Sequence, residues 1–235
     1  MNKRIETESR KDELLEAASD LFLEKGYRDA SVNSIVESIE VSKGTFYYYF
    51  DSKENVLDGL VEKIAEPIYQ KIDEIIAKDS LNAIEKLNRI FSASRRAKLD
   101  NKEDLRKIFH LMYRPENLRL RDKIQKQTVE RSAPKVATVL KQGIEEGRLD
   151  NDFPEEASRL IFRMGTDLQE DMAGALLSEE TKIEGEEYLK KYRAYEDAIA
   201  RVIGAPEGSI ELLKREDLKQ FLSYLDRGDS KESTG

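Results

Sequence analysis

The chain has 235 residues, of which 39% are hydrophobic and 37% are charged, and its formal net charge is −8. This length allows one large or two small domains, and the hydrophobic fraction is sufficient for a core. Cysteine is absent, which excludes a disulfide framework and a thiolate metal site. There is no apolar signal core near the N-terminus and no run of about 18 apolar residues, so we expect a soluble, cytoplasmic protein without a membrane segment.

The first helix is predicted from about Ser9 to Lys25. Apolar side chains recur there at helical spacing, and they are Leu14, Leu15, Ala18, Leu21 and Phe22. Gly26 follows the last helical residue, where a glycine in the left-handed conformation commonly ends a helix. The sequence therefore predicts an amphipathic helix with one face on a core.

Residues 31–53, SVNSIVESIEVSKGTFYYYFDSK, predict two short helices around a tight turn. Ser31, Ser42 and Ser52 each precede a helical segment, where a side-chain oxygen can accept a hydrogen bond from a backbone N–H. Apolar residues mark one face of each short helix: Val32, Ile35, Val36 and Ile39 in the first, and Phe46, Tyr49 and Phe50 in the second. This arrangement is typical of a helix-turn-helix, whose second helix enters a DNA groove.

The other faces of the second short helix form the candidate DNA surface, because successive helical residues are about 100° apart. The residues on those faces are Lys43, Gly44, Thr45, Tyr47 and Tyr48. Gly44 would let the backbone approach the duplex, and the hydroxyls of Ser42, Thr45 and Tyr47 can bond phosphate oxygens. We expect Lys43 and Tyr48 to contact bases.

The acidic net charge is unusual for a DNA-binding protein, because affinity for phosphate comes from lysine and arginine. The distribution of charge resolves this difficulty if basic residues form a local rim. The candidates for such a rim are Arg4, Arg10, Lys11, Arg28, Lys43 and Lys53.

The remainder of the chain predicts further helices and few strands, so the expected fold class is all-α. A long helix starts near Ser52, and we expect Pro67 to kink it and to act as a hinge. Pro115, Pro134 and Pro154 separate the helical stripes that follow. Later helices are predicted at about residues 155–177, 185–203 and 209–226.

Three groups of residues are weaker candidates for ligand sites. His110 is the only histidine, and Phe91, Phe109, Met112, Tyr113, Met164 and Leu168 could line a cavity with it. Stripes of this kind are more often plain core. Asp167, Glu170 and Asp171 lie within one helical turn and could bind a metal or a cationic ligand, but a solvated face is the favoured interpretation. We expect no catalytic set, no metal site and no cofactor.

The segment VSKGTFYYYFDSKENVL, from Val41 to Leu57, resembles the DNA-binding head of the tetracycline-repressor (TetR-like) family of transcription regulators. The resemblance extends over about residues 8–60. It implies a three-helix helix-turn-helix head at residues 1–52 and a helical-bundle body for ligand binding and dimerisation at 53–227. The polar composition of the tail at 228–235, GDSKESTG, predicts disorder. By this resemblance, residues at the positions of Ser31, Asn33, Tyr47 and Lys53 contact phosphates.

Glu40 departs from the family pattern, which commonly has glycine in this turn. We expect a backbone position that favours positive φ, and a carboxylate close to the DNA side. Asp51 adds a second carboxylate.

The function implied is that of a homodimeric repressor that binds a pseudo-palindromic operator in double-stranded DNA and responds to an unidentified small-molecule effector. Two heads about 34–36 Å apart would read successive major grooves. The helices near residues 155–177 and 186–203 are the candidates for the dimer interface. Two alternatives are a ligand-independent nucleoid-type protein, which should be basic, and an enzyme, which should carry a catalytic set in residues 80–227.

Overall fold

A computed structural model describes residues 2–99, 113, 117–177 and 185–214. Within these ranges the chain is helical and contains no β-strand, which confirms the predicted all-α class. Eight helices have defined bounds: α1 Asn2–Lys25, α2 Val32–Ser38, α3 Lys43–Tyr49, α4 Lys53–Ile76, α5 Ala83–Leu99, α6 Leu118–Glu145, α7 Pro154–Leu177 and α8 Gly185–Ile203. The predicted tail at 228–235 lies outside the described residues.

Contacts between residues divide the chain into two compact units. The first contains the residues up to Pro67 together with those between 107 and 125, and the second contains residues 68–106 and those from 126 onward. Helix α4 passes from one unit to the other at Pro67, and helix α6 does so at Gln125. The predicted domain boundary at residue 52 marks the end of the DNA-binding segment, and it stays a prediction.

The core of the first unit is formed by the apolar faces that the sequence predicts for α1, α2 and α3. All five predicted apolar residues of α1 are buried, as are Ile35 and Val36 of α2. Helix α4 adds Val56, Leu57, Leu60 and Val61. Helix α1 begins at Asn2, seven residues before the predicted start, and it ends as predicted before Gly26, whose φ is +84°.

The core of the second unit joins one face from each of five helices. Its buried residues come from α4 (Ile72, Ile75), α5 (Ala83, Leu87, Ile90), α6 (Val136, Val139, Leu140), α7 (Ala157, Ile161) and α8 (Ile199, Ala200, Ile203). Leu160 of α7 lies outside this core, since it is 44% exposed. The apolar periodicity of the body helices therefore describes real core faces.

Two prolines lie inside helices instead of between them. Pro134 is within α6, so the prediction that it separates two helical stripes is wrong, while Pro67 is inside α4 as expected. A proline removes one N–H from the helical ladder, and the carbonyl that loses its donor is four residues earlier. Both prolines are exposed, so water can solvate that carbonyl and the helix can continue.

The chain after α8 forms a loop that side chains hold against α5 and α8. Glu196 Oε1 accepts hydrogen bonds from the N–H groups of Leu212 (2.7 Å) and Leu213 (3.2 Å), and Asn88 Oδ1 accepts one from Glu211 N–H (3.0 Å). Burial raises the pKa of the Glu196 carboxyl. Residues 209–214 are not helical, so the predicted helix start near Ser209 is wrong, and residues 215–226 lie outside the described ranges. Acceptors outside the segment bind these N–H groups in the observed loop conformation.

Gly204 ends α8 in a left-handed turn (φ +63°) that packs against the backbone of Asp150. A Cβ at this position would lie 2.1 Å from the Asp150 carbonyl oxygen. We expect Gly204→Ala to lower the free energy of unfolding by about 3 kcal/mol or more, because it adds a backbone clash to the strain of positive φ. Urea unfolding measures the change.

Gly208 provides the matched control, since its φ is +73° and a Cβ there would meet nothing within 4 Å. Gly208→Ala should cost only the strain of the left-handed conformation, about 1 kcal/mol. Equal effects of the two substitutions would contradict the proposed close approach at Asp150.

Candidate nucleic-acid interface

The ends of the two short helices are fixed by the serines that the sequence predicts as caps. Ser31 Oγ accepts a hydrogen bond from Ser34 N–H at 3.0 Å, and Ser34 Oγ in turn accepts one from Ser31 N–H at 2.9 Å. Ser42 Oγ accepts one from Thr45 N–H at 3.0 Å, and Ser52 Oγ accepts one from Asn55 N–H at 3.2 Å. These local bonds delimit α2, α3 and α4. Sequence reasoning missed the reciprocal role of Ser34.

The turn between α2 and α3 is closed by two backbone hydrogen bonds. Val41 N–H donates to Val36 O (3.0 Å) and Glu40 N–H donates to Glu37 O (3.3 Å). This is the Schellman pattern, whose left-handed position is usually glycine. Glu40 occupies that position with φ +53°, as the sequence predicts, and its side chain is exposed.

Helix α3 separates its buried and exposed faces sharply. Phe46 is fully buried and Phe50, directly after the helix, is 4% exposed, whereas Tyr47 is 55% exposed and Tyr48 is 75% exposed. Lys43 and Gly44 are also exposed, and Thr45 is half-buried with its Oγ1 3.0 Å from Ser42 Oγ. The packing of α3 thus leaves the predicted base-contacting residues facing solvent. Whether they contact DNA stays a prediction.

The remaining predicted phosphate contacts are distributed around this face. Ser31 and Asn33 are exposed at the start of α2, and Ser42 is exposed at the start of α3. The serine oxygens serve as cap acceptors, and each also lies within hydrogen-bond distance of a second hydroxyl, Ser34 Oγ (3.1 Å) for Ser31 and Thr45 Oγ1 (3.0 Å) for Ser42. Of the predicted basic rim, Arg28 and Lys11 are exposed, and Arg10 forms an ion pair with Glu13.

Lys53 differs from the other predicted phosphate ligands, because protein carbonyls surround its ammonium group. Nζ donates hydrogen bonds to the carbonyl oxygens of Tyr27 (2.6 Å), Arg28 (3.2 Å) and Ala30 (2.7 Å). It also lies 4.5 Å from the centre of the Tyr27 ring. Burial lowers the pKa of Lys53, against an opposing effect of Asp29.

A second side chain holds the same loop from the other side. Asn117, which directly precedes α6, is fully buried and its Oδ1 accepts a hydrogen bond from Tyr27 N–H at 2.9 Å. Sequence reasoning did not single out Asn117, because a contact across 90 residues leaves no local signal. Lys123 of α6 forms ion pairs with Glu54 (3.3 Å) and Asp58 (2.6 Å) of α4 in the same unit.

The predicted ligand-lining residues are only partly described. Phe91 and Met164 are half-buried against the core of the second unit, and Leu168 is buried. Tyr113 belongs to the first unit, where the guanidinium carbon of Arg121 lies 4.7 Å from its ring centre. Phe109, His110 and Met112 lie outside the described residues, so the proposed cavity stays a prediction.

Two of the three clustered carboxylates on α7 bind residues of α8. Asp167 accepts a hydrogen bond from the Tyr195 hydroxyl, and Asp171 forms an ion pair with Lys191.

Across the part of the chain that the structure describes, no group of three or more histidine, aspartate or glutamate side chains is placed to hold a metal ion. Among the helices of these ranges, none combines the length and hydropathy that crossing a bilayer requires.

Comparisons with known proteins agree with this geometry. Residues 14–60 match the family model of bacterial regulatory proteins of the tetR family. The chain is 28% identical over 159 residues to the HTH-type transcriptional repressor KstR2 of Mycobacterium tuberculosis, covering 66% of this chain and 75% of that protein. It is 28% identical over 151 residues to the fatty acid metabolism regulator protein of Bacillus subtilis, covering 64% and 76%.

A solved structure shares the fold over most of the chain. SmeT, the repressor of the Stenotrophomonas maltophilia multidrug efflux pump SmeDEF, superposes in its triclosan complex with a TM-score of 0.63 and 18% identity, covering 88% of this chain and 98% of that one. The first unit therefore carries a helix-turn-helix of the DNA-binding class. These findings support a TetR-like transcriptional regulator, and regulators of the tetR family bind DNA and small-molecule effectors, typically as dimers.

The strained turn at Glu40 generates a prediction with two separable parts. Glu40→Gly should raise the free energy of unfolding by about 1 kcal/mol, because glycine adopts positive φ without strain. It should also raise the affinity for a DNA duplex severalfold at low salt, because it removes a negative charge near the phosphates. Chemical unfolding and fluorescence anisotropy measure the two quantities.

Glu40→Gln is the control. It removes the negative charge but keeps a residue with a side chain at the position of positive φ. It should raise DNA affinity as the glycine variant does and leave stability unchanged. Unchanged affinity in both variants would place the carboxylate away from the duplex.

Gly44 has no structural need for glycine. A Cβ at this position would meet only Ser42 Oγ, at an ordinary 3.5 Å, and φ is not in the positive range. Gly44→Ala should therefore stabilise the fold by about 0.5–1 kcal/mol. If the backbone approaches the duplex at this position, the same substitution should lower DNA affinity at least about tenfold. Measuring both properties on one preparation separates the two effects, and a stabilised variant with unchanged affinity would exclude a close approach at Gly44.

Proposed function

We propose that this protein is a sequence-specific repressor that binds a pseudo-palindromic operator as a homodimer and is released by a small-molecule effector in its second unit. The observation that carries the proposal is the two-sided character of α3, with Phe46 and Phe50 buried and Tyr47 and Tyr48 exposed. A helix fixed from behind by two buried rings can present its other face to a major groove.

The proposed contacts follow from position and chemistry. Lys43 and Tyr48 contact base edges, because both are exposed on α3, Lys43 at its first position and Tyr48 in its last turn. Phosphate oxygens accept hydrogen bonds from the hydroxyl and amide groups around that face, and these belong to Ser31, Asn33, Ser42, Thr45 and Tyr47. Gly44 permits the approach of the backbone.

Dimerisation follows from the size of the reading element. Helix α3 has seven residues and can read only a few base pairs, whereas two copies about one helical turn of DNA apart read a longer inverted repeat. We assign the dimer contact to α7 and α8, where Leu160 is 44% exposed and a shallow groove is lined by Met164, Ala194 and Ala198.

Repression and effector release draw on the relatives. KstR2 is a transcriptional repressor, and the relative from Bacillus subtilis is a regulator of fatty acid metabolism. By analogy, a small molecule bound in the second unit would lower DNA affinity by preferring a conformation that fits the operator poorly. The candidates for its binding site are the predicted lining residues of the second unit, Phe91, Met164 and Leu168. The protein acts in the cytoplasm as a regulator and carries out no catalysis.

Selection of bound sequences from a random duplex pool at about 0.1 M salt tests the proposal, because non-specific electrostatic binding is partly screened there. We expect the purified protein to recover an inverted repeat. Recovery of no common sequence, together with non-specific binding, would favour a ligand-independent nucleoid-type protein and overturn the proposed function.

Two matched variants assign the roles of the exposed tyrosines. Tyr48→Ala should cost about 1–3 kcal/mol of binding to the selected repeat and relax the preference at one position. Tyr47→Phe removes only a hydroxyl, and it should weaken binding to all sequences alike. An exchange of these two patterns would reverse the assignments.

A further inference from the structure

Lys53 is the predicted phosphate ligand whose surroundings fit that role least well. A lysine ammonium has three N–H donors, and the structure provides three carbonyl acceptors for them within 3.2 Å. To bind phosphate, the ammonium would have to give up at least one of these carbonyls. The short contacts to Tyr27 and Ala30 make that exchange costly, because bonds from a charged donor are about twice as strong as neutral ones.

The three carbonyls belong to a loop that needs an anchor. Residues 27–30 connect the end of α1 to the cap of α2, and their carbonyl oxygens converge on one point. Carbonyl dipoles that converge repel one another unless a cation lies between them. Lys53, the first residue of α4, supplies that cation across 23 to 26 residues of sequence.

Asn117 fixes the same loop through a backbone N–H group, whereas Lys53 binds carbonyl oxygens. It is fully buried, and its Oδ1 accepts the Tyr27 N–H, while Lys53 takes the Tyr27 carbonyl. The Tyr27 ring packs edge-on against Phe22, with 5.2 Å between ring centres. Tyr27 is therefore held through its N–H, its carbonyl and its ring.

Two residues in or next to this loop are predicted to serve DNA binding, Arg28 in the basic rim and Ser31 as a phosphate contact. Arg28 is exposed within it, and Ser31 directly follows it as the cap of α2. A shift of the loop backbone would displace both residues, and an error of about 1 Å in a binding constellation is sufficient to weaken it substantially.

We propose that Lys53 and Asn117 are positioning residues for DNA binding, which clamp the backbone of residues 27–30 from two sides and thereby place Arg28 and Ser31 against the duplex. The inference rests on the proposed DNA-binding surface and revises the phosphate role that the family resemblance implies for Lys53. Lys53 and Asn117 act through the loop, without contact to phosphate.

The salt dependence of DNA binding separates the two roles. A lost phosphate contact lowers the slope of log affinity against log salt concentration by about 0.9. We expect Lys53→Met and Asn117→Ala each to lower affinity about tenfold or more, with the slope changed by less than about half that amount. Arg28→Ala, which removes an exposed cation of the same surface, provides the comparison for a true phosphate contact.

Lys53→Arg sharpens the distinction. Arginine is at least as good a phosphate ligand as lysine, but its planar fork cannot direct its donors to three carbonyls around one point. The variant should therefore bind as poorly as Lys53→Met. Lys53→Gln, which keeps an amide donor without the charge, should retain part of the affinity and serves if the methionine variant fails to fold.

Hydrogen exchange provides a readout that does not depend on DNA. In the free protein, the amide of Tyr27 should exchange faster in Lys53→Gln and Asn117→Ala than in the wild type, while the amides of the α4 core keep their protection. The Lys53 and Asn117 substitutions should also be non-additive in a double variant, because both act on one loop.

The opposite pattern would overturn the proposal. It consists of a slope reduced by about one in Lys53→Met, full binding by Lys53→Arg and wild-type affinity of Asn117→Ala. All affinities are measured on a selected duplex and on an unrelated one. Failure of sequence specificity would thus appear in the wild type, separately from any change of slope in the variants.

Discussion

The burial of Phe46 and Phe50 is the interaction on which the candidate DNA surface of α3 depends. Helix α3 has only seven residues, and isolated helices shorter than about 12 residues are marginal in water. The two rings supply the tertiary contacts that such a helix needs, and they also fix its rotation about its own axis. Tyr47 and Tyr48 are exposed because their neighbours are buried. Loss of a buried phenylalanine side chain typically costs about 3–5 kcal/mol, so core and recognition surface cannot vary independently.

Local hydrogen bonds fix the ends of the short helices, and side chains from distant parts of the sequence fix the loop before α2. The serine caps and the Schellman turn determine where α2 and α3 begin and end, using partners no more than five residues apart. The loop before α2 is instead held by Lys53 and Asn117, which come from far along the chain. A small head buries little apolar surface, so hydrogen bonds from polar side chains do much to fix the conformation of its loops. The geometry of the candidate DNA surface thus depends both on contacts between neighbouring residues and on contacts between residues far apart in the sequence.

Sequence reasoning succeeded where the signal is local. The caps at Ser31, Ser42 and Ser52 and the helix end at Gly26 are each readable from a few neighbouring residues, and the apolar stripes identify both cores. The left-handed conformation of Glu40 follows from the family resemblance. It failed where tertiary contacts decide. Pro134 continues a helix because its face is exposed, and residues 209–214 form a loop in which Glu196 and Asn88 bind backbone N–H groups. Neither the environment of Lys53 nor the role of Asn117 can be derived from periodicity, since both depend on which distant elements pack together.

The left-handed turn at Glu40 also has a genetic consequence. Both codons for glutamate become codons for glycine by a single change of A to G at the second position. The backbone of this turn already has the conformation that glycine prefers, so the substitution requires no rearrangement of α2 or α3. The expected tighter-binding head is thus one transition mutation away from the present chain, and selection for stronger DNA binding has a path of one base change at codon 40.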